Sequence, residues 1–195
     1  MEVKEFLEIV KRAGKLKTNT RHCYTEEHRK ESVADHSWRI ALMAMLLSGQ
    51  EEFADRDMNR VIRMCLIHDL GEAFTGDIPS FEKKETDSKR EEDIFYKWIQ
   101  SFPEPQKREW LSLLEEMKAM ESKEAKTYKA LDKLEAVISH DESDISSWLP
   151  LEYDLQLSYA QKNVAFSSYL SEVSEAVNVW TRNKIAKSKT GRDKI

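Results

Sequence analysis

The stretch Val61-Ile62-Arg63-Met64-Cys65-Leu66-Ile67-His68-Asp69-Leu70-Gly71-Glu72-Ala73-Phe74-Thr75-Gly76-Asp77-Ile78-Pro79 decides how the chain is read. Val61, Ile62, Met64, Cys65 and Ile67 recur at helical spacing, and Asp57 stands where it can cap the helix that bears them. The helix is expected to carry His68 to Phe74 and to break at Thr75 to Pro79, where Gly76 and Pro79 punctuate the sequence. An imidazole and a carboxylate therefore sit side by side at the end of an apolar helix, with a second carboxylate, Glu72, one turn on.

Outward from this stretch the helical period continues in both directions. Val3, Phe6, Leu7, Ile9 and Val10 form an amphipathic helix that stops at Gly14. Residues 15–30 are polar and read as a loop, and Ser32 with Asp35 resembles a capping box for a helix reaching Leu47. Further helices are expected over 89–101, over 105–120 with Pro105 in the first position, and from Ser122 with Ala125, Tyr128, Leu131, Leu134 and Ile138 as the buried stripe. A last helical region covers 152–187 with a break near 166–168, and the basic tail from Ser188 is expected to fray. The highly charged segment 81–90 is expected to be a mobile flap. Five Gly and four Pro in 195 residues argue against an all-β chain rich in tight turns, so the fold class expected is all-α. No linker or repeat divides it, and one domain is expected over residues 1–195.

Composition excludes several classes of function. Apolar residues make up 40% and charged residues 34%, as in a soluble globular protein. A net charge of −5 offers no basic footprint for nucleic acid, although a metal or an arginine can still gather an anionic small molecule locally. Cys23 and Cys65 lack metal or redox spacing and read as free thiols of a reducing compartment. Residues 1–20 lack the apolar core of a signal peptide, and the longest apolar run, near 40–47, is far too short for a membrane span. A cytoplasmic location without membrane partners is expected.

The chemistry concentrates around histidine, of which there are five. His68 and Asp69 can share an ion placed beside the helix end, but a catalytic metal needs at least three protein groups and an open position. His36 offers a second imidazole and Asp132 a second carboxylate, a mixed donor set suited to transition metals more than to calcium. Each piece alone has an ordinary structural reading: a surface His-Asp pair, a core-edge histidine, an aspartate solvated beside Lys129 and Lys133. His28 reads as a loop residue and His140 as structural or exposed. Trp38, Trp98, Trp110, Trp148 and Trp180 read as helix-packing residues, Met43, Met45 and Met64 as core, and Ser122 as a helix cap. Phosphate-loop, dinucleotide-turn and nucleophile-elbow motifs are absent.

Taken together, His36…His68-Asp69…Asp132 resembles the H…HD…D signature of the HD superfamily of metal-dependent phosphohydrolases. The flanks Glu31-Ser32-Val33-Ala34-Asp35-His36-Ser37, His68-Asp69-Leu70-Gly71-Glu72-Ala73, Thr75-Gly76-Asp77-Ile78-Pro79 and Asp132-Lys133-Leu134-Glu135 are similar to the YfbR-like branch, which contains 5′-deoxynucleotidases. The likeness spans about residues 5–140. It implies a helical bundle, one divalent ion (Mn, Co, Mg, Fe or Zn) held by His36, His68, Asp69 and Asp132, and hydrolysis of nucleoside 5′-monophosphates to nucleoside and phosphate. It further implies that Arg21 orients the phosphate, that Asp77 lies near the substrate and that Glu72 acts as acid or base. Helical spacing agrees for Glu72, because i+3 and i+4 from Asp69 and His68 share a face if the helix continues. His22 is the one departure, standing where these deoxynucleotidases carry a tryptophan against the sugar. Family likeness and the apolar positions Val173, Ala176, Val177 and Trp180 lead to the expectation of a homodimer. The competing functions are an HD hydrolase of a deoxynucleoside triphosphate, of guanosine tetraphosphate or of another phosphate, and a non-catalytic metal-binding module.

Overall fold

A computed structural model describes residues 1–25 and 29–192, so His28 lies outside the described residues. The helices are α1 (Val3–Ala13), α2 (Val33–Leu47), α3 (Met58–Ile67), α4 (Glu72–Thr75), α5 (Glu85–Gln100), α6 (Gln106–Ala119), α7 (Lys123–Glu142), α8 (Glu152–Leu155), α9 (Gln161–Val164) and α10 (Ser168–Arg192). Ser32 caps α2 in a reciprocal capping box with Asp35, while Asp57 caps α3 and Ser122 caps α7. Each of these side chains accepts a hydrogen bond from a backbone N–H of the first turn, as the sequence pattern requires.

The segment expected as a loop carries more structure than that. A 3-10 turn over Gly14–Lys17 leads into β1 (Thr20–Tyr24), which pairs antiparallel with β2 (Lys30–Ser32). Thr20 faces Ser32 and Tyr24 faces Lys30, with an irregularity between the two pairs. This hairpin leaves an otherwise helical fold all-α in class, and it sets Arg21, His22 and Cys23 against α7. The expected flap is also partly helix, because α5 begins at Glu85 and Lys83 pairs with Glu91 at 2.7 Å.

Helices α2, α3 and α7 pack on one another at the centre, with α6 against α3, α5 against α6, and α9 and α10 against α7. Val33, His36, Ile40, Ala44 and Leu47 occupy one face of α2 at helical spacing, and all are buried. The opposite face leaves Trp38, Leu42, Met45 and Leu46 exposed, so Trp38 and Met45 are not the packing residues expected of them. Helix α7 departs from a one-sided stripe. Beside Leu131 and Leu134 it buries Thr127, Asp132, Glu135, Ser139 and Asp141, the pattern of a helix enclosed on all sides. Those polar groups need internal partners, and their partners build the site.

Candidate metal centre and pocket

Helix α3 stops at Ile67, and His68 to Gly71 form a turn before the single turn of α4. The regular helix expected through Phe74 therefore gives way to a tighter turn with i→i−3 hydrogen bonds, and α5 packs closely on it at Gly71. A Cβ on Gly71 would lie 2.8 Å from the Glu91 side chain and 3.4 Å from Phe95. Gly76 follows at φ +78, a backbone state that glycine adopts without strain. The Glu72 carbonyl accepts a 2.5 Å hydrogen bond from the Asn19 side chain.

His36, His68, Asp69 and Asp132 meet where these elements converge. His36 Nε2 lies 3.2 Å from His68 Nε2, 3.3 Å from Asp132 Oδ1 and 3.8 Å from Asp69 Oδ2. His68 Nε2 lies 3.0 Å from Asp69 Oδ2 and 3.8 Å from Asp132 Oδ1. The far side of each ring is fixed: His68 Nδ1 donates to the Cys65 carbonyl at 2.9 Å, and His36 Nδ1 is bound to Glu135. A neutral imidazole has one N–H, so with both Nδ1 atoms committed the two Nε2 lone pairs face each other beside two carboxylate oxygens. Such an arrangement requires a cation at its centre. Burial and Arg21 oppose protonation, yet Glu135 and Asp132 push His36 up to about 9, which favours a proton on the ring. Imidazole and carboxylate donors oriented by outer partners also fit a divalent transition-metal ion, whose binding would displace the proton.

Glu135 is the group that sequence reasoning left without a role. It is fully buried on the face of α7 that also carries Asp132, accepts from Arg39 Nε at 2.6 Å, and is held down to about 2 by His36, Arg21 and Arg39 despite its burial. Its signal was present in the spacing Asp132…Glu135, one helical turn. Glu31 was likewise quoted without a role. It is buried, accepts from Ser139 at 2.7 Å and forms an ion pair with Arg21 Nε at 3.1 Å. Asp132 does lie beside Lys129 and Lys133, at 2.8 and 3.6 Å, but it is buried and these cations hold it well below the usual carboxylate range against the cost of burial.

A cavity of about 290 Å³ opens over this cluster, lined among others by Arg21, His22, Asp69, Glu72, Asp77 and Asp132. The structure thus brings the sequence-predicted residues together, with His36 and His68 beneath the floor. Lys83, Lys129, Lys133 and Tyr159 add polar walls that the sequence did not single out, as do His140 and Glu152. Glu72 is 4% exposed, and its Oε2 has no hydrogen-bond partner. Burial first, then Asp69, Asp77 and Glu91, pushes its carboxyl up to about 10 against the pull of Lys83. Burial raises Asp77 too. Arg21 remains a cation throughout, its pKa raised by Glu135 and Glu31 in spite of burial. Cys23 and Cys65 are both buried and free, and burial pushes the Cys23 thiol up to about 12.

A family model described as "HD domain" matches residues 13–174. The 5′-deoxynucleotidase HDDC2 of Homo sapiens is 34% identical over 143 residues, which cover 71% of this chain and 68% of that protein. Its Xenopus laevis counterpart is 35% identical over 141 residues, covering 69% and 67%. Among solved structures, one described as a predicted metal-dependent phosphohydrolase from Magnetospirillum magnetotacticum superposes with a TM-score of 0.77 at 28% identity, over 93% of each chain. The converging histidines and aspartates thus sit in a chain that belongs to the HD-domain family of metal-dependent phosphohydrolases.

Proposed function

We propose that the chain is a metal-dependent 5′-nucleotidase that hydrolyses (deoxy)ribonucleoside 5′-monophosphates to nucleoside and inorganic phosphate. The observation that carries this reading is one cavity in which a cation-demanding His/His/Asp/Asp cluster, a fixed arginine and an unpartnered carboxyl, Glu72, converge. The relatives named 5′-deoxynucleotidase support the substrate class.

In this reading His36, His68, Asp69 and Asp132 hold the ion, one of Mn, Co, Mg, Fe or Zn. Bound there, it would polarise a phosphate oxygen and lower the pKa of water. Arg21 grips the phosphate through the N–H edge of its guanidinium, which Glu31 anchors from behind at Nε. Lys83, Lys129 and Lys133 line the same cavity and offset the charge of an arriving dianion. Glu72 has no internal partner, so its carboxyl is free to pass a proton between the attacking water and the 5′-oxygen that leaves. Asp77 and His22 face the nucleoside end. With an imidazole where the deoxynucleotidases carry an indole, the sugar meets a polar wall at His22. The decisive experiment is a screen of phosphorylated metabolites against metal-stripped protein resupplied in turn with Mn, Co, Mg, Zn and Fe. Release of phosphate from nucleoside 5′-monophosphates is expected. Turnover confined to nucleoside triphosphates or guanosine tetraphosphate would overturn the substrate assignment.

Among the described residues no helix is long and apolar enough to cross a membrane. A cytoplasmic homodimer completes the reading. Of the stripe expected to form its interface, Val177 is buried and Val173 packs on the chain's own core, leaving Ala176 and Trp180 exposed. The larger uncovered apolar row is on α2, where Trp38, Leu42, Met45 and Leu46 are 39–69% exposed. Light scattering at tens of micromolar is expected to give a dimer that Leu42→Glu with Met45→Glu dissociates; a monomeric wild type would refute it.

A further inference from the structure

A second group of convergent donors lies on the wall of the same cavity. His22 projects from β1, His140 from the last turn of α7, and Glu152 is the first residue of α8. His140 Nε2 lies 2.9 Å and His22 Nε2 3.4 Å from the same Glu152 oxygen, Oε1, and the three donor atoms all lie within 4.8 Å of one another. Donors about 2.0–2.2 Å from a tetrahedral ion stand roughly 3.3–3.6 Å apart, so one ion fits here with shifts of a few tenths of an ångström in most contacts.

The cluster is oriented from behind, as the first one is. His140 Nδ1 donates to the Ala136 carbonyl at 2.8 Å, which in a neutral ring leaves Nε2 as a lone pair aimed at Glu152. The other Glu152 oxygen accepts the Leu149 N–H at 2.7 Å, and the residue is 1% exposed. Trp148 packs edge-on against His140, and Phe81 does the same against His22. Two acceptors thus meet at 2.9 Å with a third donor beside them, and the remaining side opens to the cavity. A metal ion in that position would engage all three donors at once.

We propose that His22, His140 and Glu152 form a second divalent transition-metal site, with zinc or cobalt as its natural occupants and an open position facing the cavity. Three protein ligands and one open position are the ligation of a zinc site that accepts an exogenous group. With three donors against four, it binds more weakly than the His36 cluster. The proposal is independent of the phosphatase reading, because its measure is stoichiometry and not turnover.

The test is titration of the chelator-stripped full-length protein with Zn(II) against a chromophoric competitor, and with Co(II) followed by its visible absorption. Wild type is expected to take two equivalents, one tight and one weaker. His22→Ala and His140→Ala should each keep the tight equivalent and weaken the other by at least about tenfold. His36→Ala should do the reverse. His22 is a half-buried strand residue whose truncation is compatible with folding, so it carries the test alone if His140→Ala, which strips packing from Trp148, does not fold. Saturation of wild type at one equivalent would overturn the proposal, as would two equivalents in His22→Ala with unchanged affinities. A single equivalent together with an imidazolium NMR signature at His140 would identify the cluster as an ion pair instead.

Discussion

Glu72 ties stability and catalysis together in opposite senses. The structure holds its carboxyl at about 10 against an ordinary 4.5, chiefly by burial and then by Asp69, Asp77 and Glu91. A raised acid favours the protonated folded state, so its contribution to stability is fully present below pH 4.5 and is lost as pH rises through the window from 4.5 to 10. At pH 7 the unfolded chain has already released this proton and the metal-stripped folded chain has not. The cost is about 2.5 pH units at roughly 1.4 kcal/mol each, on the order of 3 kcal/mol. Glu72→Gln is neutral in both states and escapes that loss. Urea denaturation of metal-stripped wild type and Glu72→Gln between pH 5 and pH 8 should therefore show the variant gaining ground as pH rises, by on the order of 3 kcal/mol at pH 7 relative to the acid limit. The amide's own packing adds a constant offset, so the slope is what decides. In the metal-loaded protein the same substitution should lower single-turnover hydrolysis of a nucleoside monophosphate by roughly 10²–10⁴, the usual contribution of a positioned acid or base. A pH-independent stability difference would refute the buried-acid argument. Turnover of Glu72→Ala within about threefold of wild type would refute its catalytic role and transfer that role to Asp77.

Three further outcomes are expected. His36→Ala and Asp69→Ala should each abolish the tight equivalent of bound metal, measured by elemental analysis after gel filtration, since removing one of four donors leaves an incomplete shell. Arg21→Ala should weaken substrate binding and lower turnover together, and Arg21→Lys should recover little because the planar fork is lost; unchanged KM and kcat in either variant would remove Arg21 from the phosphate site. Away from the pocket, Asp141 accepts from Thr181 at 2.7 Å while its other oxygen has no partner, and burial pushes its carboxyl up to about 6. Its contribution is present below about 4 and lost as pH rises through 6, so Asp141→Asn should gain on wild type by on the order of 1–2 kcal/mol, after solvent screening, between pH 4 and pH 7.5 in thermal unfolding.

The parts of this molecule that were legible in the sequence are those set by local rules. Ser32, Asp57 and Ser122 cap the helices they were expected to cap because a short side-chain acceptor before an apolar period has little else to do there. The α2 face from Val33 to Leu47 follows from spacing alone, and it carries His36 inward with Ile40. The hairpin was missed because β1 shows no clean alternation: Arg21 and His22 are both half-buried, one toward Glu31 and the other toward Glu152. Tertiary partners set their direction, and no local period records such partners.

The break after Ile67 makes the same point at the centre of the site. Nothing in Cys65-Leu66-Ile67-His68-Asp69-Leu70 opposes a helix, and the first residue able to end one is Gly71. Position 71 is where α5 comes close, since Glu91 and Phe95 occupy the space a Cβ there would need. Adjacent helical side chains diverge by about 100°, so His68 and Asp69 both reach His36 because it stands beside the end of α3. With the turn in place their donor atoms come within 3.8 Å of His36 Nε2, and Glu72 starts a new helical turn with its carboxyl in the cavity. The motif His68-Asp69-Leu70-Gly71-Glu72 therefore sets its chemistry where α3 gives way to a turn. The glycine admits α5 against this turn, and His68 and Asp69 meet His36 and Asp132 at its edge.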